Sequence, residues 1–146
     1  MSVKVNISLR QKKVKLPTGT KLNNRYILGG VFSKERVFVS YYAFDTKTSQ
    51  RVKISEYLNE KLVYRHTGEL IIKYFNEECR ARGDKEIAAY YTHYKKICAA
   101  SEKNVLNFSD CFAENSTFYF VNSIDFAIFS SEFLINSFIY YSFFIF

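Results

Sequence analysis

The chain has 146 residues, enough for one domain with a modest core, and carries a net charge of +7 with 18% aromatic residues. Its three cysteines, Cys79, Cys98 and Cys111, form no C-x-x-C pair, and with only His66 and His93 beside them no zinc-ligand spacing exists, which excludes a metal site as an expectation. An odd cysteine count without a signal peptide points to reduced thiols and a cytoplasmic setting.

The charge is unevenly placed. Residues 1–26 hold Lys4, Arg10, Lys12, Lys13, Lys15, Lys21 and Arg25 and no acid, so these seven cations account for the whole excess of 21 basic over 14 acidic residues. Residues 1–15 read as a basic amino-terminal arm or as an edge strand, with Val3, Val5, Ile7 and Leu9 on one face. Lysines on such a strand block edge-to-edge pairing. No aromatic side chain precedes Tyr26 to stack on a base, so no specific nucleic acid is expected.

Leu16-Pro17-Thr18-Gly19-Thr20 breaks the alternation with the only proline. Strands are then predicted over Tyr26–Phe32, Val37–Asp45 and, after the turn Thr46–Gln50, Arg51–Tyr57. Asn59–Gly68 is polar and reads as a loop. Glu69–Arg82 and Lys85–Ala100 both read as helices, separated by Gly83. In the second, Ile87, Tyr90, Tyr91, Tyr94, Ile97 and Cys98 recur every three or four residues, a stripe expected to pack into the core. Lys103–Cys111 and Thr117–Ile124 read as two strands joined by the turn Ala113-Glu114-Asn115-Ser116.

Three stretches carry a resemblance to a known family. Leu16–Tyr26, LPTGTKLNNRY, is similar to an L-P-x-G-T-x-L-N-x-R-Y run. Tyr26–Tyr57 has the spacing of Y-x-I-x-x-x-L-G-x-G-G-F-G-x-T-Y-x-A-Y-D followed by V-A-I-K-E-Y. Glu102–Val121 is similar to H-P-N-I-V-x-V-x-D-V-F-E-E-N-G-T-A-Y-L-V. All three belong to the amino-terminal lobe of bacterial serine/threonine protein kinases, and the resemblance spans about Leu16 to Ile124. It implies an α+β fold, a twisted antiparallel sheet with one or two helices. Residues 16–124 would form this lobe, between the basic arm and an apolar aromatic tail at 125–146.

The same resemblance locates the positions for phosphoryl transfer. That reaction rests on a glycine-rich loop, a lysine–glutamate pair, a catalytic aspartate and Mg²⁺ ligands. Ser33, Lys34, Glu35, Arg36, Val37 and Phe38 stand where the glycine loop belongs, so no side-chain-free backbone is available to fold over phosphates. Ser55 stands at the lysine position. Lys53, two residues away, shares its face of the strand and is the substitute if ATP and Mg²⁺ are bound. Its partner is Glu78 if Phe75–Arg80 matches the family's F-x-x-E-A-R. An ungapped count places His93 there instead. Asp125-Phe126-Ala127 lies too close to the last strand to serve as the D-F-G of the family.

The tail Phe126–Phe146 is mostly apolar, with Glu132 its one charge. Its length permits a membrane span, but Ser130, Ser131, Glu132, Asn136, Ser137 and Ser142 interrupt it and no basic flank anchors it. A packed terminal element or the product of a frameshift or premature stop are the other readings. The functional expectation is a degenerate, truncated, pseudokinase-like protein without phosphoryl transfer, with an intact kinase or another protein as partner. Two alternatives stay open: an ATP-binding kinase fragment using Lys53, and a small membrane-associated protein anchored by residues 126–146.

Overall fold

A computed structural model describes residues 15–100 and 108–124. The strand read over Ser2–Leu9, the first residues of the strand read over Lys103–Cys111 and the tail at 125–146 lie outside the described residues.

Six strands form one antiparallel sheet in the order β1-β2-β3-β4-β8-β7. They are β1 (Lys21–Leu22), β2 (Tyr26–Lys34), β3 (Phe38–Asp45), β4 (Gln50–Tyr57), β7 (Phe108–Glu114) and β8 (Thr117–Ser123). Asn23 and Asn24 bridge β1 and β2 with positive φ, a conformation that asparagine tolerates better than most residues. Asn115 and Ser116 join β7 to β8 with φ of 56° and 63°, the pair of left-handed residues that a two-residue hairpin turn requires. The hairpins and strands predicted over Tyr26–Tyr57 and Thr117–Ile124 are thus present, with ends shifted by one or two residues.

The region between β4 and β7 departs from expectation. Instead of two helices, the described residues form one, α1, running without a break over Glu77–Ala100. It starts where Asn76 Oδ1 accepts the Cys79 N–H at 2.8 Å, a side-chain cap, with Glu77 and Glu78 in the first turn. Residues 69–76 are not helical and contribute β6 (Lys73–Tyr74), which pairs with β5 (Val63–Tyr64). Nor is Asn59–Gly68 a solvated polar loop. Leu62, Val63 and Arg65 within it are buried.

Strand alternation sorts the sheet into two faces. Tyr26, Leu28, Val39, Tyr41, Ala43, Val52, Ile54, Phe112, Tyr119 and Val121 form one core, closed by Leu16 and Leu22 from the entry segment and by Leu58, Leu62, Val63 and Ile72 from the segment after β4. The opposite face carries Tyr57, Phe118 and Phe120, against which Phe38, Ile87, Tyr91, Tyr94, Phe108 and Cys111 pack. The aromatic stripe of α1 therefore does face the sheet. Phe120 stacks on Tyr94 with ring centroids 4.2 Å apart.

Candidate functional site

The helix-facing side of β3 and β4 is where the kinase resemblance places its nucleotide chemistry. β4 alternates, so Lys53, Ser55 and Tyr57 share that side while Val52, Ile54 and Glu56 take the other. Ser55, at the lysine position, is buried, and its hydroxyl is bonded to the Ser40 hydroxyl at 2.8 Å. Two short hydroxyls opposite each other satisfy one another and leave no charge at this point of the strand pair.

Lys53 lies beside Tyr42 and Asn122 in register. Its ammonium sits 5.3 Å from the centre of the Phe32 ring, which meets Tyr42 edge-on at 4.9 Å. That contact is a cation–π pair, worth about 0.5–1 kcal/mol when exposed. Glu78, its expected partner, is exposed in the first turn of α1, and no ion pair joins the two among the described residues. His93 is exposed on α1 and touches the Tyr94 ring edge-on.

The carboxylate that α1 does bring to the sheet is Glu86. The Tyr57 hydroxyl and the Asn59 side-chain amide donate to its Oε2, and Arg82 donates to its Oε1 at 3.3 Å. Burial works against the Glu86 charge, but these donors outweigh it and hold the carboxyl below its ordinary value. Tyr57 stands four residues beyond Lys53, about 13 Å along an extended strand. Glu86 is thus committed to Tyr57 rather than to a lysine. Its role was hidden in the sequence because its partners Tyr57 and Asn59 lie on and just after β4, far along the chain. Four-residue spacing on α1 puts Glu86, Tyr90 and Tyr94 in one row.

The β2–β3 hairpin is where the sequence resemblance places the glycine loop. It closes through the Glu35 N–H, which donates to the Phe38 carbonyl at 2.8 Å, so that donor is spent inside the turn. Lys34 pairs with Glu60 across an exposed surface. Gly29 and Gly30 lie earlier on β2, where the register with β3 slips between Leu28 and Val31. An added Cβ at Gly29 would lie 3.4 Å from the Tyr42 carbonyl oxygen, an ordinary contact distance.

On the far side of β4, Glu56 is fully buried. It receives the Arg65 guanidinium, the Tyr41 hydroxyl at 3.0 Å and the Tyr119 hydroxyl at 3.1 Å. Arg65 in turn donates from Nε to the Leu70 carbonyl at 2.9 Å. This cluster faces away from α1 and staples the segment after β4 to the sheet. Among the described residues no group of His, Cys, Asp and Glu side chains is placed to hold a metal ion.

No protein-family model matches the chain, and no curated protein matches it in sequence. A solved structure described as "PpkA-294 apo form", a kinase fragment, is similar in fold, with a TM-score of 0.67 and 19% identity over 75% of this chain. The match spans 38% of that chain. The curled antiparallel sheet with the one helix of the described residues is therefore a kinase-like α+β fold, consistent with the amino-terminal-lobe type. Nothing in this likeness extends to activity.

Proposed function

We propose that this chain is a degenerate kinase-like lobe that transfers no phosphoryl group and acts as a partner-binding module. The observation that carries the reading is the hydroxyl pair Ser40–Ser55 at the point where the fold would present its phosphate-binding lysine. The neighbouring positions agree with it. The residues present do not fit a nucleotide triphosphate: the hairpin donor of Glu35 is used internally, Lys53 rests over Phe32, and Glu86 is held by Tyr57 and Asn59. Phosphoryl transfer depends almost wholly on positioned charge, and these groups supply none of it in the needed place.

Incubation of the full chain with labelled ATP and Mg²⁺ is the test. The expected result is no incorporation and no saturable nucleotide binding. Autophosphorylation that disappears in Lys53→Ala would sink the proposal and establish Lys53 as a displaced lysine. That second reading has one observation in its favour, since Lys53 lies on the same strand face as Ser55. Partner binding is tested apart from this, by capture of a defined kinase complex with the purified chain. A monodisperse monomer that binds no kinase would count against the module. Among the described residues no helix is long and apolar enough to cross a membrane. Recovery of the full chain only with detergent would favour the membrane-associated reading instead.

A further inference from the structure

Two of the three cysteines meet where α1 ends against the sheet. Cys98 lies one turn beyond Tyr94, on the same side of the helix. Cys111 lies on β7 directly opposite Phe120, the residue on which Tyr94 stacks. The row Tyr94–Cys98 and the row Phe120–Cys111 therefore run side by side. Each thiol is half-buried, and no disulfide joins them. Both line one cleft together with Lys95, Lys96, Ser109 and Asp110.

We propose that Cys98 and Cys111 form a redox-sensitive clamp, which closes as a disulfide between the last turn of α1 and β7 when a low-molecular-weight disulfide is the oxidant. The first thiolate attacks one sulfur of the small disulfide, forming a mixed disulfide and releasing one small thiol. The second protein thiolate then attacks the protein sulfur of that mixed disulfide and releases the second small thiol. The two protein thiols lose two electrons, the small disulfide gains them, and the two protons end on the released thiols. Burial pushes the Cys111 thiol up to about 12, with the neighbouring Cys98 adding to the effect and Lys95 opposing it. Burial also raises Cys98. Cys98, the less suppressed, is the first attacker, and exchange is slow enough to need hours of exposure. Cys79 packs against the other core, so it takes no part.

The test uses the full folded chain, incubated with oxidised glutathione and read by intact mass and peptide mapping. The expected product has lost two hydrogens, yields one linked peptide pair containing Cys98 and Cys111, and returns to the starting mass with a dithiol reductant. Its melting temperature rises by about 5–10 °C, as a closed loop of this length allows. Cys79→Ser forms the same product, whereas Cys98→Ala and Cys111→Ala do not. A stable glutathione adduct on Cys98 with Cys111 still open to alkylation would overturn the proposal. So would a bridge that includes Cys79. The wild-type mapping decides the matter even if a variant fails to fold.

Discussion

Arg65 has 1% of its side chain exposed, and it reaches Glu56 on a different element nine positions earlier. Burial pushes the Glu56 carboxyl up, against the opposing pull of Arg65, Tyr41 and Tyr119. Removing one partner leaves an uncompensated charge in the core, so Arg65→Met should cost about 3–5 kcal/mol in urea unfolding. Changing both residues, with Glu56→Leu added, should recover part of that loss, because two apolar side chains replace two buried charges. Unchanged stability in Arg65→Met would mean that the pair is solvated. Asp45 gives a second, pH-dependent case. Arg25 grips it from Nε and Nη2 at 2.7 Å each, and the Lys47 N–H and Thr48 hydroxyl add to the hold. These bonds, Arg25 first and against the effect of burial, keep the Asp45 carboxyl well below its ordinary 3.8. The folded state therefore binds this proton less readily than the unfolded chain. Its contribution is whole above about pH 4 and is lost as pH falls further. Asp45→Asn should cost about 1.5–3 kcal/mol at pH 7, and the gap to wild type should close in unfolding curves taken at successively lower pH. Asp45 was legible in the sequence as the end of a predicted strand. Arg65 was not, because a polar stretch gives no sign that one of its cations has a buried partner on another strand.

At the scale of elements, Gly83 separates what sequence can say from what packing decides. Glycine is a poor helix former, which is why the sequence reads as two helices parted at that point. In the fold it is a buried position of α1, and a Cβ there would lie 2.3 Å from the Tyr74 ring. The glycine makes room for the β6 tyrosine, whose hydroxyl donates to Asp84 at 2.9 Å. On propensity alone Gly83→Ala should stabilise by about 1 kcal/mol. The clash reverses the sign, and a net loss of about 1–3 kcal/mol is expected by thermal or urea unfolding. Truncating the ring in Gly83→Ala/Tyr74→Ala should then make the alanine favourable relative to Tyr74→Ala alone. If Gly83→Ala raises stability by itself, the packing account is wrong. Of the stripe read from Ile87 to Cys98, Ile87, Tyr91 and Tyr94 pack half-buried against the sheet while Tyr90 is exposed, so the spacing gave the face but not burial in the core. Residues 69–76 were misread because good helix formers there are claimed by β-pairing and by the Ile72 N–H, which donates to the Asn115 carbonyl at 3.2 Å.

Over the whole molecule, the helix and sheet are held together by aromatic rings. Phe38 meets Tyr57, Tyr90, Tyr94, Phe118 and Phe120 edge-on, with centroids 5.3 to 6.1 Å apart. It joins β3, β4, β8 and α1 at one point. Phe38→Ala, at a half-buried site, should cost about 2–3 kcal/mol and raise hydrogen exchange in α1 more than in β2 and β3. Equal exchange in helix and sheet would show that α1 is docked by something else. Alternation and turn residues by themselves determined the strands from Tyr26 to Tyr57, the β7–β8 hairpin and the inward stripe of α1, because each depends only on near neighbours along the chain. Likewise, that the β2–β3 hairpin holds no glycine over Ser33–Phe38 and that position 55 is a serine was readable residue by residue. Only the tertiary structure decided that α1 is continuous, that Glu86 serves Tyr57, that Arg65 is buried on Glu56 and that Cys98 meets Cys111. Each of these joins residues on separate elements, and a pairing of that kind is set by how the elements pack.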